Sequence, residues 1–354
     1  MIIHTDGSNF EKPISGVGRS IIELIRYSKN KFIILINKRL HKDYIEIKKF
    51  KNVKLIKNIY FKNLYCKNQD IRVYLATCHK IPLNLNHNVM VIMIVHDLVW
   101  KIHPETMKFK GLISEKLFFN RTIKRANLIF CPSNSISKQL NKYYPKFKKK
   151  INILPWGVKD FKYQIEIKSS NRFFLNVGTF EPRKNLFNLI KAFELIKNSR
   201  PHLLIKLIIA GGVGWGNLNI QKLIYKLNLN NMIEVIRSPS DKKLYELYHN
   251  CEALIFPSVY EGFGLPLIEA LALKKPVLIS NIEVFKEIAK KNALYFDPHN
   301  AKSIKNKILK IYMNKNLQTK IINNIRKENI LDKYSWKKTS LIFDDLVLSL
   351  QNVT

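Results

Sequence analysis

The sequence predicts an α/β protein made of two consecutive doubly wound domains, and three observations lead there. The chain has 354 residues, more than a single hydrophobic core usually organises. Short apolar, β-branched runs alternate with amphipathic helical patterns, the mark of parallel strands joined by crossover helices. A polar, weakly patterned stretch, KDFKYQIEIKSS (159–170), then interrupts the alternation before it restarts.

In the first half the strand candidates are MIIHT (1–5), FIILIN (32–37), VKLIK (53–57), VMVIMIV (89–95), NLIFCPS (127–133) and NILPWG (152–157). RSIIELIRYS (19–28) and SEKLFFNRTIKRA (114–126) between them carry a helical period. After the interruption come FFLNVG (173–178), KLIIAGG (206–212), IEVIR (233–237), ALIFPS (253–258), VLIS (277–280) and LYFD (294–297), each followed by a plausible helix. The chain then reads as helical to its end, through SIKNKILKIYMN, QTKIINNIRKENILDKY and SWKKTSLIFDDLVLSLQ. With no strand left to follow, these helices must cap one domain or cross back to the other. In sheets of this kind a ligand lies in the crevice beyond the carboxyl ends of the strands. No internal repeat is evident.

Composition narrows the class. Hydrophobic residues make up 46% and aromatics 11%, enough for folded cores, and 12 glycines with 13 prolines exclude a low-complexity chain. Cys66, Cys78, Cys131 and Cys251 form no CxxC pair, which argues against a zinc site or a disulfide framework and for a reducing, cytoplasmic setting. No basic-then-apolar leader opens the chain, and no apolar run reaches the ~18–20 residues of a membrane span. Net charge is +35, from 61 basic against 26 acidic residues. Three explanations compete: nucleic-acid binding, attraction to an anionic membrane face, and plain composition, since lysine greatly outnumbers arginine. The basic residues are dispersed and form no tract, which weakens the first.

The chemistry concentrates in FPSVYEGFGLPLIEALALKKPVLIS (256–280). A strand enters a turn at Glu261, Gly262, Phe263 and Gly264, and a helix begins at Leu265 and Pro266. Proline suits a first helical turn, and the glycines let a ligand approach the main chain closely. Backbone N–H groups at such a helix start suit a diphosphate. Glu261 on the loop and Glu269 in the helix are eight apart, so one carboxylate can meet a transferred group while the other binds ribose hydroxyls. The plainer alternative makes Glu261 a helix-entry acid and Glu269 a solvent-facing residue.

EGFGLPLIEALALKKPVLIS resembles the signature of retaining glycosyltransferase family 4, the glycosyl transferases group 1 domain, with its E-x7-E motif. The resemblance covers nearly the whole chain. GVGRS (16–20), VHDLVWKIHPE (95–105), VGTFEPRKNLFNLIKAF (177–193) and LIIAGGVGWG (207–216) follow in family order, and the PRKN and GxGW wording is most similar to mannosyltransferases of bacterial surface-polysaccharide pathways.

The resemblance implies a GT-B fold, two doubly wound Rossmann-like domains facing a central crevice, with a helical C-terminal end. It implies an acceptor-side domain at 1–158, a linker at 159–170, a nucleotide-sugar domain at 171–334, and a helix at 335–354 returning to the first domain. Lys184 would neutralise the donor diphosphate; many members carry a second basic residue where Thr179 stands, and Arg183 is a candidate substitute. Glu261 would contact the donor sugar, assisted by main-chain groups of Gly262, Phe263, Gly264 and Leu265, and Glu269 the ribose. Arg237, in the loop that usually holds the base, stands near a position where members often have glycine. Gly16 and Gly18 would let the chain approach donor phosphates or acceptor; read alone they mark a helix start. His96 would act at the reaction centre, Asp97 would orient it or its loop, and His103 and Glu105 suit packing or acceptor contacts.

The implied reaction moves a hexose, mannose by preference, from GDP-mannose or a UDP-sugar to a glycan or lipid-linked acceptor with retention. No DxD pair or ligand-spaced cluster is seen, so no metal or other cofactor is expected. The expected location is cytoplasmic, with peripheral contact to the membrane and no nucleic-acid partner. The rivals are a phosphorylase or epimerase of the same fold, a binding-only protein that has lost activity, and a basic nucleic-acid binder.

Overall fold

The computed structural model describes residues 1–57, 71–159, 163, 172–212, 214 and 219–350. Cys66, most of 159–170, part of GVGWG and the last residues of the C-terminal segment lie outside the described residues. The chain divides into two compact units. Met1–Ile102, Phe109–Gly157 and Tyr334–Thr354 form the first, and His103–Lys108 with Val158–Lys333 the second.

In the first unit seven strands form one parallel sheet: β1 Ile2–Asp6, β2 Lys31–Leu35, β3 Val53–Ile56, β4 Val73–Ala76, β5 Met90–Ile94, β6 Leu128–Cys131 and β7 Ile151–Ile153. Their order is β3-β2-β1-β4-β5-β6-β7. Strand β4 was not anticipated. Its four residues are too few to show a period, and every one is buried, as in a central strand covered on both faces. NILPWG is strand only as far as Ile153. Pro155 has no N–H for a ladder, and Trp156 turns to stack on Trp336 at 5.7 Å.

The first helix, Gly16–Tyr27, starts three residues earlier than its apolar period suggested, because Ser15 caps it by accepting from the Gly18 N–H at 3.1 Å. The helix Phe109–Arg125 likewise starts five residues early. Gly111 interrupts the apolar period in its first turn.

The C-terminal helix Trp336–Ser349 belongs to the first unit. Ser340 Oγ donates to the Leu24 carbonyl at 3.2 Å, and Phe343 packs on Phe130 at 5.4 Å. Asp344 accepts from Ser28 Oγ, the Lys29 N–H and Asn30 Nδ2 at 2.5, 2.7 and 2.7 Å. One carboxylate thus ties down the chain just beyond the Gly16–Tyr27 helix.

Six parallel strands build the second unit: β8 Phe173–Val177, β9 Lys206–Gly211, β10 Ile233–Arg237, β11 Ala253–Phe256, β12 Val277–Ser280 and β13 Leu294–Phe296. Their order is β10-β9-β8-β11-β12-β13. Strands β8, β11 and β12 are buried along their whole length, as central strands covered on both faces must be. QTKIINNIRKENILDKY splits into two helices, Lys315–Lys327 and Ile330–Lys333. In each sheet the strand order reverses once, between β1 and β4 and between β8 and β11. Such a reversal opens a cleft at the carboxyl ends of the two strands.

Candidate active site

The loops that leave β8 and β11 meet at the reversal point of the second sheet. Asn185, in the left-handed conformation at φ 57°, ends the turn Pro182–Lys184 and sends its Nδ2 to the carbonyls of Pro257 and Pro298 at 3.0 and 2.6 Å. The Val259 N–H donates to the Arg183 carbonyl at 2.9 Å. These contacts bring residues nearly eighty apart in sequence into one cluster.

At its centre is Glu261, 7% exposed. Its Oε1 accepts from Lys184 Nζ at 2.5 Å and Ser258 Oγ at 2.7 Å, and its Oε2 from Arg183 Nη1 at 2.7 Å. Arg183 also donates to Glu181 at 3.0 Å and to the Tyr260 carbonyl at 3.2 Å. Lys184 Nζ lies over the Phe256 ring at 5.2 Å. Burial pulls the Glu261 carboxyl upward, but the charges of Arg183 and Lys184 outweigh it and hold the group down at about 2. For Lys184 the balance goes the other way: burial lowers it, and the attraction of Glu261 only partly offsets that. Glu261 is therefore a fixed anion and Lys184 a weakened cation.

Gly264 begins the helix Leu265–Ala272 at φ 103°, a conformation that costs any L side chain. A Cβ there would stand 3.0 Å from Phe285 and 3.3 Å from Phe256. No side chain caps this helix start, whose first turn holds Leu265 and Pro266. Glu269 is not solvent-facing, as the plainer alternative had it: it is 4% exposed, and its Oε2 accepts from the Tyr248 hydroxyl at 2.7 Å. Ser258, Asn185 and Tyr248 carry no role on sequence alone. Ser258 lies three residues before Glu261 in FPSVYEGFG, and that spacing is the available signal.

Residues 158–328 match the sequence model of the family described as glycosyl transferases group 1. The second unit carries a glycosyl transferases group 1 domain. Among curated relatives, the O-antigen chain mannosyltransferase RfbU of Salmonella typhimurium is 30% identical over 228 residues, covering 64% of this chain and 61% of that one. The serotype-specific mannosyltransferase WbdA of Escherichia coli is 45% identical over 128 residues, 35% of this chain and 15% of its own. The chain thus spans about three fifths of the first relative and a small part of the second. Among solved structures, WaaG, a glycosyltransferase involved in lipopolysaccharide biosynthesis, superposes with a TM-score of 0.74 at 16% identity, over 98% of this chain and 99% of that one. Anabaena HepE in complex with UDP-glucose gives 0.76 at 16% identity, over 100% and 99%. The fold is GT-B.

Within the group 1 domain, Arg183, Lys184, Glu261, Gly262, Phe263, Gly264 and Leu265 share the reversal point, and Glu269 follows one turn on in the same helix. Thr179 is half-buried on the loop after β8, its carbonyl accepting from the Glu181 N–H at 2.9 Å. Arg237 is not brought to the cluster: it is exposed at the end of the edge strand β10, with β9 between it and β8. His103, grouped with the second unit, lies against the Tyr260 ring at 5.4 Å and pairs with Glu105 at 3.0 Å.

Gly16, Gly18, His96 and Asp97 belong to the first unit. His96 Nε2 meets the Thr77 carbonyl at 3.0 Å, which requires the proton on Nε2 and leaves Nδ1 as the acceptor. Burial, and then the nearby His79, hold its ring down at about 3, so it works as a neutral group. Asp97 accepts from the Val99 N–H at 3.1 Å and so caps its own loop. The bare side of Gly18 is filled by Tyr44, whose hydroxyl would stand 2.0 Å from a Cβ, while Gly16 is exposed.

Proposed function

We propose that this chain is a retaining hexosyltransferase. It takes a hexose from a nucleotide diphosphate sugar and places it on a hydroxyl of a glycan or lipid-linked acceptor, in surface polysaccharide synthesis. The observation that carries the reading is the meeting of Glu261, Arg183 and Lys184 beside the Gly264 helix start at the reversal point of the second sheet. A carboxylate can accept from sugar hydroxyls, while two cations and a helix start oppose developing diphosphate charge. Glu269, held by Tyr248, takes the ribose. His96, with Nδ1 open as an acceptor, takes a hydroxyl. The protein's contribution is orientation and charge stabilisation, without a metal ion.

GDP-mannose is the first donor to try, supported by the mannosyltransferase relatives; the UDP-glucose complex of HepE keeps a UDP-sugar in view. Melting curves with GDP-mannose, UDP-glucose and UDP-N-acetylglucosamine test the reading. One donor should raise Tm of the wild-type protein and not of Glu269→Ala, with transfer unaffected by EDTA. A cooperatively melting protein that answers to no donor would refute it.

The first unit is also assigned a peripheral contact with an anionic lipid surface. Among the described residues no helix is long and apolar enough to cross a membrane. On the helix Phe109–Arg125, however, Phe109, Ile113 and Leu117 recur every fourth residue and are 75, 42 and 67% exposed. Arg121 holds the Leu83 carbonyl at 2.6 Å, which sets the exposed Leu83 alongside. Exposed Lys110, Lys116 and Lys124 surround this stripe, and the helix's single acid, Glu115, is engaged by His79 at 2.8 Å. An apolar face rimmed by lysines suits the boundary between headgroups and acyl chains.

A further inference from the structure

The loops after β8 and β11 are already joined by contacts between uncharged groups, Val259 N–H to the Arg183 carbonyl and Asn185 Nδ2 to the Pro257 carbonyl. The ion pairs of Glu261 with Arg183 and Lys184 are therefore not needed to hold the loops together, and buried pairs add little net stability against their desolvation. Their charges instead decide what can enter. Glu181 and Glu261 face Arg183 and Lys184, two carboxylates against two cations. A diphosphate approaching those cations meets a neutral cluster whose carboxylate is fully ionised and 7% exposed. Either two anions crowd one little-solvated place, or the carboxylate gives way.

An ionised carboxylate only accepts hydrogen bonds, so it leaves two cations readily only where other donors replace them. A sugar has such donors in its hydroxyl groups, whereas a bare nucleoside diphosphate offers none at that end. Ser258 stays within reach as a hinge partner, since its hydroxyl already contacts Oε1.

We propose that Glu261 is an exchangeable counter-anion: it holds Arg183 and Lys184 until an intact nucleotide sugar supplies hydroxyl donors, and then yields the cations to the diphosphate. This rests on the donor reading above. The consequence is a site that prefers the whole donor to the nucleoside diphosphate left after transfer. When the sugar departs, the carboxylate returns to its cations and the diphosphate loses its hold, which drives product release.

Titration calorimetry of GDP, UDP, GDP-mannose and UDP-glucose against wild type, Glu261→Gln and Ser258→Ala tests it. Glutamine removes the competing charge, so the nucleoside diphosphate should bind about tenfold tighter or better, while the preference for the intact donor shrinks. Ser258→Ala loosens the carboxylate's resting position and should move the same ratio a few-fold in the same direction. If Glu261→Gln does not fold, Ser258→Ala alone decides. Nucleoside diphosphate affinity that is unchanged or weaker in the folded variants overturns the proposal. Silent titrations with all four ligands on all three proteins would instead defeat the donor reading, and the proposal with it.

Discussion

The two sheets have the same strand order around their reversal points, yet opposite chemistry stands at each. At the first of these points Asn9 contacts Thr77 and Cys78, the Cys78 thiol is pushed up by burial and Asp6 accepts from the Ser8 N–H, while His96, on the loop after β5, is held uncharged. After β8 and β11 stand Arg183, Lys184 and Glu261, all ionic and tightly paired. A common backbone thus carries different side chains at its two reversal points. Function lies in what the loops carry, not in the winding of the sheet.

The largest test of that contrast is turnover. Lys184→Ala should cost about a hundredfold or more, since it removes charge opposed to a developing anion. His96→Gln should cost nearer tenfold, the worth of one neutral hydrogen bond. Equal losses in a steady-state assay would break the division of labour. A smaller effect distinguishes the two surfaces. Phe109→Ser with Leu117→Ser should weaken sedimentation with phosphatidylglycerol vesicles roughly tenfold, by removing partly buried apolar area. Leu204→Ser with Tyr225→Ser, also highly exposed but on the second unit, should leave it unchanged. Binding untouched by the first pair would mean that net charge, not the stripe, holds the lipid.

The smallest effect is on pH dependence. His96 and Glu261 both bind protons less readily folded than unfolded, so each makes stability fall as pH drops through its own window. For His96 the window runs from 6.5 to about 3, and for Glu261 from 4.5 to about 2. His96→Gln should therefore flatten the decline of Tm between pH 6.5 and 4.5, by several degrees, and Glu261→Gln only below it. Buried His4, also held low, adds to the wild-type decline, so the comparison of variants carries the result. Identical melting profiles for the two variants across both windows would show that neither group is buried as described.

Much was legible beforehand because buried parallel strands leave continuous apolar runs. FFLNVG, ALIFPS and VLIS could hardly lie anywhere but inside a sheet. Gly264 was legible for a related reason: a turn that needs φ near 103° leaves its residue type behind. Gly18 misled in its cause, since what demands a bare Cα is the Tyr44 hydroxyl, distant in sequence. Arg237 stands near a position where members often have glycine, and an exposed edge strand carries it away from the cluster.

By itself the sequence determined the alternation of strand and helix and the glycine-proline turn flanked by two glutamates. Both are local, set by period, backbone freedom and burial of runs a few residues long. Only the tertiary structure decided that β4 completes the first sheet and that Asp344 ties down the chain just beyond the first helix. It alone decided that Glu261 faces Arg183 and Lys184 while Glu269 faces Tyr248. Those are meetings of residues distant along the chain, and charges and hydrogen bonds act over ångströms in space, whatever the separation in sequence.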